Sequence, residues 1–250
     1  MKRDAGQRQP HAVLDLPSRR LKALKIERLL DLSTRPQPIS LLEIGTGSGG
    51  IAHYFAHHES LQCKVTAVDV LDQRLLHEGF DFLQVSDTTL PFADDRFDVV
   101  ISNHVIEHVG DALAQRHHLD EIRRVLRPDG IGYLAVPNRW MLVEPHYRLA
   151  FLSWLPPSWR SPYLRMMRRG EIYDCNPPRP STLERMLADS HFAFENLFTR
   201  ALREFLAIEG HKGMLASVAA ALPDALLDRL APFNPTLIYR LEPADPPSAP

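Results

Sequence analysis

An α/β fold, with helices covering both faces of a mostly parallel sheet, is predicted for this sequence by three observations. Short apolar runs alternate with stretches of helical spacing, the pattern of successive βαβ units. A glycine-rich segment, Gly45 to Gly50, directly follows one apolar run and opens a helix. The residues able to do chemistry stand just after strands, and ligands of such sheets bind outside the carboxyl ends of the strands. Right-handed crossovers then put helices on both faces.

The elements follow in order. Residues 1 to about 18 are polar and read as frayed, with no apolar region of a signal peptide. Residues 19–32, RRLKALKIERLLDL, set Leu21, Leu24, Ile26, Leu29 and Leu30 at helical spacing, so 1–36 is an N-terminal helical extension. A domain over 37–242 carries strands at 40–45, 64–69, 81–86, 97–102 and 132–137, with helices from Ile51 and over 118–126. Arg127-Pro128-Asp129-Gly130 is a turn, with proline and glycine where turn chemistry wants them. Residues 138–180 break the alternation with Trp140, Tyr147, Trp154, Trp159 and Tyr163 among arginines and prolines, which predicts an inserted cap. A helix from Ser181 has the capping-box spacing to Glu184. Residues 192–200 and 236–241 would close the sheet as a hairpin-like antiparallel edge, and 243–250 is a proline-rich tail.

Composition narrows the function classes. With 44% hydrophobic and 24% charged residues in 250, the chain can bury a sizeable core. A net charge of -2 argues against a general nucleic-acid binder. Two distant cysteines, Cys63 and Cys175, read as reduced thiols in a cytoplasmic protein rather than a disulfide framework. No apolar run is long enough to span a membrane, although the basic helix 19–32 leaves peripheral contact open. Nothing in the sequence fixes the oligomeric state.

Gly45, Gly47 and Gly50 satisfy a G-x-G-x-x-G pattern after a strand, and Asp69 lies roughly 20 residues on, where a ribose-binding acid belongs. Glycines allow the tight turn and let a ligand lie against bare backbone at a helix N-terminus. These residues announce a nucleotide-like ligand without choosing between NAD and S-adenosylmethionine. Asp87, closing the third strand, could accept from an adenine amine or serve as a turn aspartate.

The order LLEIGTGSG, VTAVDV, SDTTLPFADDRFDVVISNHVIEHV and RVLRPDGIGYLAVPN, over about 40–138, resembles class I S-adenosylmethionine-dependent methyltransferases, in particular bacterial small-molecule enzymes. The resemblance implies a Rossmann-like seven-stranded sheet with its last strand antiparallel. It implies that Glu43, Gly45, Thr46, Gly47 and Gly49 hold the methionine end of the cofactor, and that Asp69 holds the ribose. Val70 and Leu71 would lie beside the adenine, with Asp87 and Thr88 at its amine. Asn103 and His104 would face the sulfonium and the acceptor. The segment 137–156 is loosely similar to methyltransferases of cell-surface glycan genes, so the implied acceptor is a small molecule or a glycan- or lipid-linked one, with a hydroxyl favoured.

His104-Val105-Ile106-Glu107-His108 also spells H-x-x-E-H, a zinc-protease pattern. Its place after a strand, inside a methyltransferase motif, argues against that use. Some quinone-biosynthesis O-methyltransferases bind a divalent ion in this segment, but His104 stands where an acid would help, so no metal ligand set is expected. If a base is needed, His104 is the first candidate and His146 the second, because imidazole titrates near neutral pH. The rivals are an NAD-dependent oxidoreductase and a non-catalytic scaffold. Glu43 and the LRPDG turn speak against the first; intact Gly45, Gly47 and Asp69 speak against the second.

Overall fold

The computed structural model describes residues 15–210 and 214–244. The predicted frayed start and most of the proline-rich tail lie outside these residues. In chain order the elements are α1 (Leu16–Leu29), β1 (Ile39–Ile44), α2 (Gly50–Ala56), β2 (Cys63–Asp69), β3 (Asp81–Gln84), β4 (Phe97–Asn103), α3 (Ala112–Val125) and β5 (Leu126–Pro137). The inserted region holds β6 (Val143–Glu144), β7 (Leu149–Ala150) and α4 (Pro157–Met166). The chain then continues through α5 (Pro180–Asp189), β8 (Phe192–Asn196), α6 (Phe198–Glu209), α7 (Met214–Ala221), α8 (Asp224–Leu230) and β9 (Thr236–Pro243).

Seven strands form one sheet in the order β3-β2-β1-β4-β5-β9-β8. β1, β2, β3, β4 and β5 pair in parallel, while β9 is antiparallel to both its neighbours. Strand order therefore reverses beside β1, and the crevice of such a sheet opens there. Successive side chains point to opposite faces, so Leu41 and Val99 pack on the α1–α2 side, and Leu42 and Val100 on the side of α3 and α5. Each fully buried Leu or Val contributes roughly 1.5–3 kcal/mol. The inserted region has a small core of its own, made of Tyr147, Leu149, Leu152, Leu164, Tyr173 and Cys175.

Several expectations are corrected. Helix α1 begins at Leu16, because Asp15 accepts from Ser18 N and Pro17 sits in the first turn. Helix α3 starts at Ala112, capped by Asp111. Ser181 is not a cap: α5 starts one residue earlier on Pro180, whose φ is pre-set for a first helical position, and Glu184 instead accepts from Tyr239 Oη at 2.8 Å. The third strand stops at Gln84, short of Ser86. Arg127–Gly130 is not a free turn but loops out within β5, since Phe97 pairs with Leu126 and Val99 with Ile131. The antiparallel edge of β8 and β9 forms as expected, but residues 198–200 open α6 rather than extend a strand, and three helices separate β8 from β9, so the connection is not a hairpin.

Candidate active site at the carboxyl ends of the strands

The glycine loop links β1 to α2, with Gly45, Gly47 and Gly49 at φ +74°, +52° and +78°. A side chain is disfavoured at such angles. Space forbids one too: a Cβ on Gly45 would overlap Val105 Cγ2, and one on Gly49 would lie 2.5 Å from the Leu76 carbonyl oxygen. Glu43 sits beneath the loop, 2% exposed. Its Oε2 accepts from Thr46 Oγ1 at 2.7 Å and from Ala52 N at 2.9 Å, tying both ends of the loop to β1. Burial pushes the Glu43 carboxyl up to about 8, against those two hydrogen bonds. As placed, Glu43 shapes the loop from below.

Asp69, at the end of β2, accepts from Gly47 N at 2.9 Å and from Leu71 N at 3.3 Å, one bond to each carboxylate oxygen. It thus joins the glycine loop to its own turn, where Val70 and Leu71 are half-buried. Asp87 is exposed and accepts from Thr89 N at 2.7 Å, the local turn role, with Thr88 half-buried beside it. This segment is clamped from α3. Leu90 N donates to Glu121, while Arg124 donates to Glu121, Asp94 and the carbonyls of Leu90 and Phe92. The sequence marked neither clamp residue, since a Glu and an Arg three apart on a helix read as an ordinary solvated pair.

At the end of β4, Asn103 is buried and its Oδ1 has no hydrogen-bond partner. His104 turns the chain sharply at φ +59°, with its amide bonded to Ala135 O at 2.8 Å. A non-glycine residue there costs on the order of 1 kcal/mol or more, and such strain collects at functional sites. Behind it, fully buried Glu107 places Oε1 3.4 Å from His104 Nδ1 and 3.9 Å from His108 Nε2. Burial alone would raise the Glu107 carboxyl, but His104 and His108 outweigh it and hold it low. His118, unmarked in the sequence, lies under Ser102 at 3.0 Å, and burial lowers it to about 4. Arg19 was missed as well: it packs over Gly50, feels the charge of Glu43, and its buried Nε has no hydrogen-bond partner.

His146 is not on this platform's loops; it belongs to the β6–β7 turn, with Nδ1 2.7 Å from Glu144 Oε1. Both cysteines are free, and burial, Glu144 and Asp174 push the Cys175 thiol well above its usual range. Of the inserted aromatics, Tyr147 is buried, while Trp140, Trp154 and Trp159 are exposed. Arg139, Arg160 and Arg179 make no ion pair among the described residues, and Arg139 Nε and Arg160 Nη2 are buried without hydrogen-bond partners. Arg139 and Arg179 line one cavity with Thr182 and Pro178. No described helix is long and apolar enough to cross a membrane.

Residues 42–134 match the family model described as a methyltransferase domain. Among curated proteins, the ubiquinone biosynthesis O-methyltransferase of Parvibaculum lavamentivorans is 30% identical over 140 residues, covering 50% of this chain and 52% of the relative. The chain thus spans about half the length of that relative. Among solved structures, the YcgJ protein of Bacillus subtilis superposes with a TM-score of 0.54 at 15% identity, over 89% of this chain and 99% of that one. The 1,6-didemethyltoxoflavin-N1-methyltransferase of Burkholderia thailandensis, solved with 1,6-didemethyltoxoflavin and S-adenosylhomocysteine, gives 0.51 at 17% identity, over 92% and 80%. At those identities the structural likeness establishes the fold: a Rossmann-like α/β sheet of seven strands, as expected.

Proposed function

Residues 42–134 being a methyltransferase domain of the class I, S-adenosylmethionine-dependent family, we propose that this chain moves a methyl group from S-adenosylmethionine to a hydroxyl of a small-molecule, glycan-linked or lipid-linked acceptor. The observation that carries the reading is the convergence of a Cβ-intolerant glycine loop, Asp69 and Asn103–His104 at the carboxyl ends of three adjacent strands. The residues fit the donor: Ser48 Oγ, Asn103 Oδ1 and Arg19 Nε are buried polar atoms without hydrogen-bond partners. Such groups cost roughly 1–3 kcal/mol each unless a partner satisfies them.

In this reading Gly45, Gly47 and Gly49 offer bare backbone to the methionyl end, and Glu43 and Thr46 hold that backbone in shape. Arg19 is placed to meet a carboxylate there. Each Asp69 oxygen keeps a lone pair for a ribose hydroxyl. Val70 and Leu71 flank the adenine, Asp87 and Thr88 take its amine, and Asn103 faces the sulfonium. The bound donor supplies a methyl carbon on a positively charged sulfur. In-line attack on it needs an acceptor held within about 3 Å, so positioning does much of the work. His104 takes the hydroxyl proton, and Glu107 behind it stabilises the imidazolium that results. His146, paired with Glu144 in the cap, is the weaker candidate for base. The unpaired Arg139, Arg160 and Arg179 favour an acceptor bearing a phosphate or carboxylate, and the exposed tryptophans favour a ring or lipid portion. Two free thiols suit a reducing, cytoplasmic setting.

Calorimetric titration with S-adenosylmethionine and with NAD, on the native chain and on Asp69→Ala, tests the reading. S-adenosylmethionine is expected to bind, and the substitution to weaken it tenfold or more, since one charge-assisted bond contributes about 1.5–3 kcal/mol. Binding of NAD instead would overturn it. His104→Gln is expected to slow methyl transfer roughly a hundredfold with donor affinity unchanged; equal loss of both would assign His104 a structural part.

A further inference from the structure

We propose that His108, His146 and Cys175 form a divalent-metal site of the zinc class that fastens the cap to the turn after β4. The three residues come from separate segments: the turn at 106–108, the β6–β7 turn and the extended strap before α5. One ring nitrogen of each histidine and the cysteine sulfur all lie within 4.8 Å of one another. Cys175 Sγ is 3.7 Å from His108 Nδ1; His146 Nδ1, 3.9 Å from Sγ, is the nitrogen held by Glu144, so His146 offers its Nε2 to the ion. A tetrahedral zinc ion spaces such ligand atoms roughly 3.5 Å apart, so small side-chain rotations close the site.

The surroundings are those a metal-bound histidine needs. Each ligating imidazole in metal sites typically gives its other N–H to a carboxylate, which fixes ring and tautomer. Here Glu144, fully buried, takes Nδ1 of His146 at 2.7 Å, and Glu107, fully buried, lies 3.9 Å from Nε2 of His108 on the ring edge away from the sulfur contact. Neither oxygen of buried Glu107 makes a well-aligned hydrogen bond; His104, 3.4 Å away, balances part of its charge and a nearby dication would balance more. Asp174 Oδ1, 3.8 Å from Sγ, adds further negative charge. Two imidazoles and a thiol form a borderline-soft set, which selects zinc or cobalt over magnesium or calcium. On binding, the S–H bond breaks, the thiolate electron pair forms the metal–sulfur bond and the proton leaves to solvent.

The ion would complete a junction the backbone has begun. Asn176 N donates to Glu107 O at 2.7 Å, and Gln115 Nε2 donates to Asn176 O at 2.8 Å, so the strap already lies on the turn. His146 brings the β6–β7 turn to the same point. The H-x-x-E-H pattern shares only His108 with this set. The site uses none of the groups assigned to the methyl donor; it shares Glu107 with His104 and claims His146, the weaker base candidate, and a metal titration reads it without a methyl-transfer assay.

The test is a Co2+ titration of the untagged, chelator-treated full chain, followed by displacement with Zn2+. His53 on α2 and His57 at its C-cap stack at 4.1 Å and could take an ion alone, so the titration uses the His53→Gln/His57→Gln background. The expected result is one Co2+ per chain with a thiolate-to-metal charge-transfer band, retained in Cys63→Ser and lost in Cys175→Ser. Zn2+ is expected to raise the melting temperature, and His146→Gln to weaken binding tenfold or more. No thiolate band, or a band that follows Cys63, overturns the site. If Cys175→Ser fails to fold, His146→Gln decides alone, and unchanged Co2+ affinity in that variant overturns the site.

Discussion

The platform formed by β1, β2 and the glycine loop and the cap over 138–180 solve the same problem, holding polar groups in fixed positions, by different means. On the platform, Glu43 is reached by Thr46 and Ala52 from three and nine residues away, and Asp69 reaches Gly47 across 22. In the cap, Cys175 meets His108 across 67 residues and His146 across 29. The platform's geometry is dictated by positive backbone angles that glycine adopts at little cost, with no room for a Cβ at Gly45 or Gly49. The cap's geometry comes from side chains converging from remote segments around a small core of its own. Sites built on neighbouring residues of one strand–turn–helix are set once the sheet forms; sites built by convergence depend on every segment that delivers a ligand.

The sharpest way to break this comparison is Gly45→Ala. A positive φ and overlap with Val105 together are expected to cost about 2–4 kcal/mol in urea unfolding. Adding Val105→Ala should restore the packing share and leave the strain of φ +74°. A cost under about 0.5 kcal/mol would show that the loop is not conformationally dictated.

The next effect is in pH. Glu43 is raised to about 8 from 4.5, so the fold holds its proton where the unfolded chain has lost it, and stability falls as pH rises from about 4.5 to 8. His118 is lowered to about 4 from 6.5, so its contribution is full above 6.5 and lost as pH falls towards 4. Between 6.5 and 8 only Glu43 of this pair acts. Donor-free protein should lose up to about 2 kcal/mol across that window, and Glu43→Gln should flatten the slope. An unchanged slope in the variant would remove Glu43 as its cause.

The smallest stability effect belongs to the cap surface. Trp159 is 67% exposed, so Trp159→Ser should change unfolding free energy by less than about 0.5 kcal/mol while raising KM for a lipid-linked acceptor. A loss above 1 kcal/mol would place Trp159 in the cap's core instead.

The match between reading and structure follows the same division. Four of the five parallel strands, β1, β2, β4 and β5, were legible because covered strands read as apolar runs such as ISLLEI and FDVVIS, bounded by turn residues, while β3 is a short, largely exposed edge strand. The antiparallel edge of β8 and β9 was legible too, but not that α6, α7 and α8 lie between them, because short apolar runs do not state how they are connected. Helix starts slipped where a proline opens the helix, as Pro180 does for α5, or where an aspartate caps it further upstream, as Asp111 does for α3. Glu121, Arg124 and Arg19 carried no signal, since a charged residue on a helix looks the same whether it faces water or clamps a loop.

Sequence by itself determined the α/β class, the glycine loop, the acid at the end of β2 and the position of the asparagine–histidine pair at the end of β4. Each rests on residue type at fixed local spacing: glycine where φ is positive, an apolar run where both sheet faces are covered, a carboxylate at a strand end. Only the tertiary structure decided that Glu43 lies under the loop, that His146 belongs with Glu144 and Cys175 rather than with His104, and that Glu107 is buried between two imidazoles. Those outcomes depend on burial and on which remote segments meet, quantities set by the packed sheet and cap together and by no local stretch of chain.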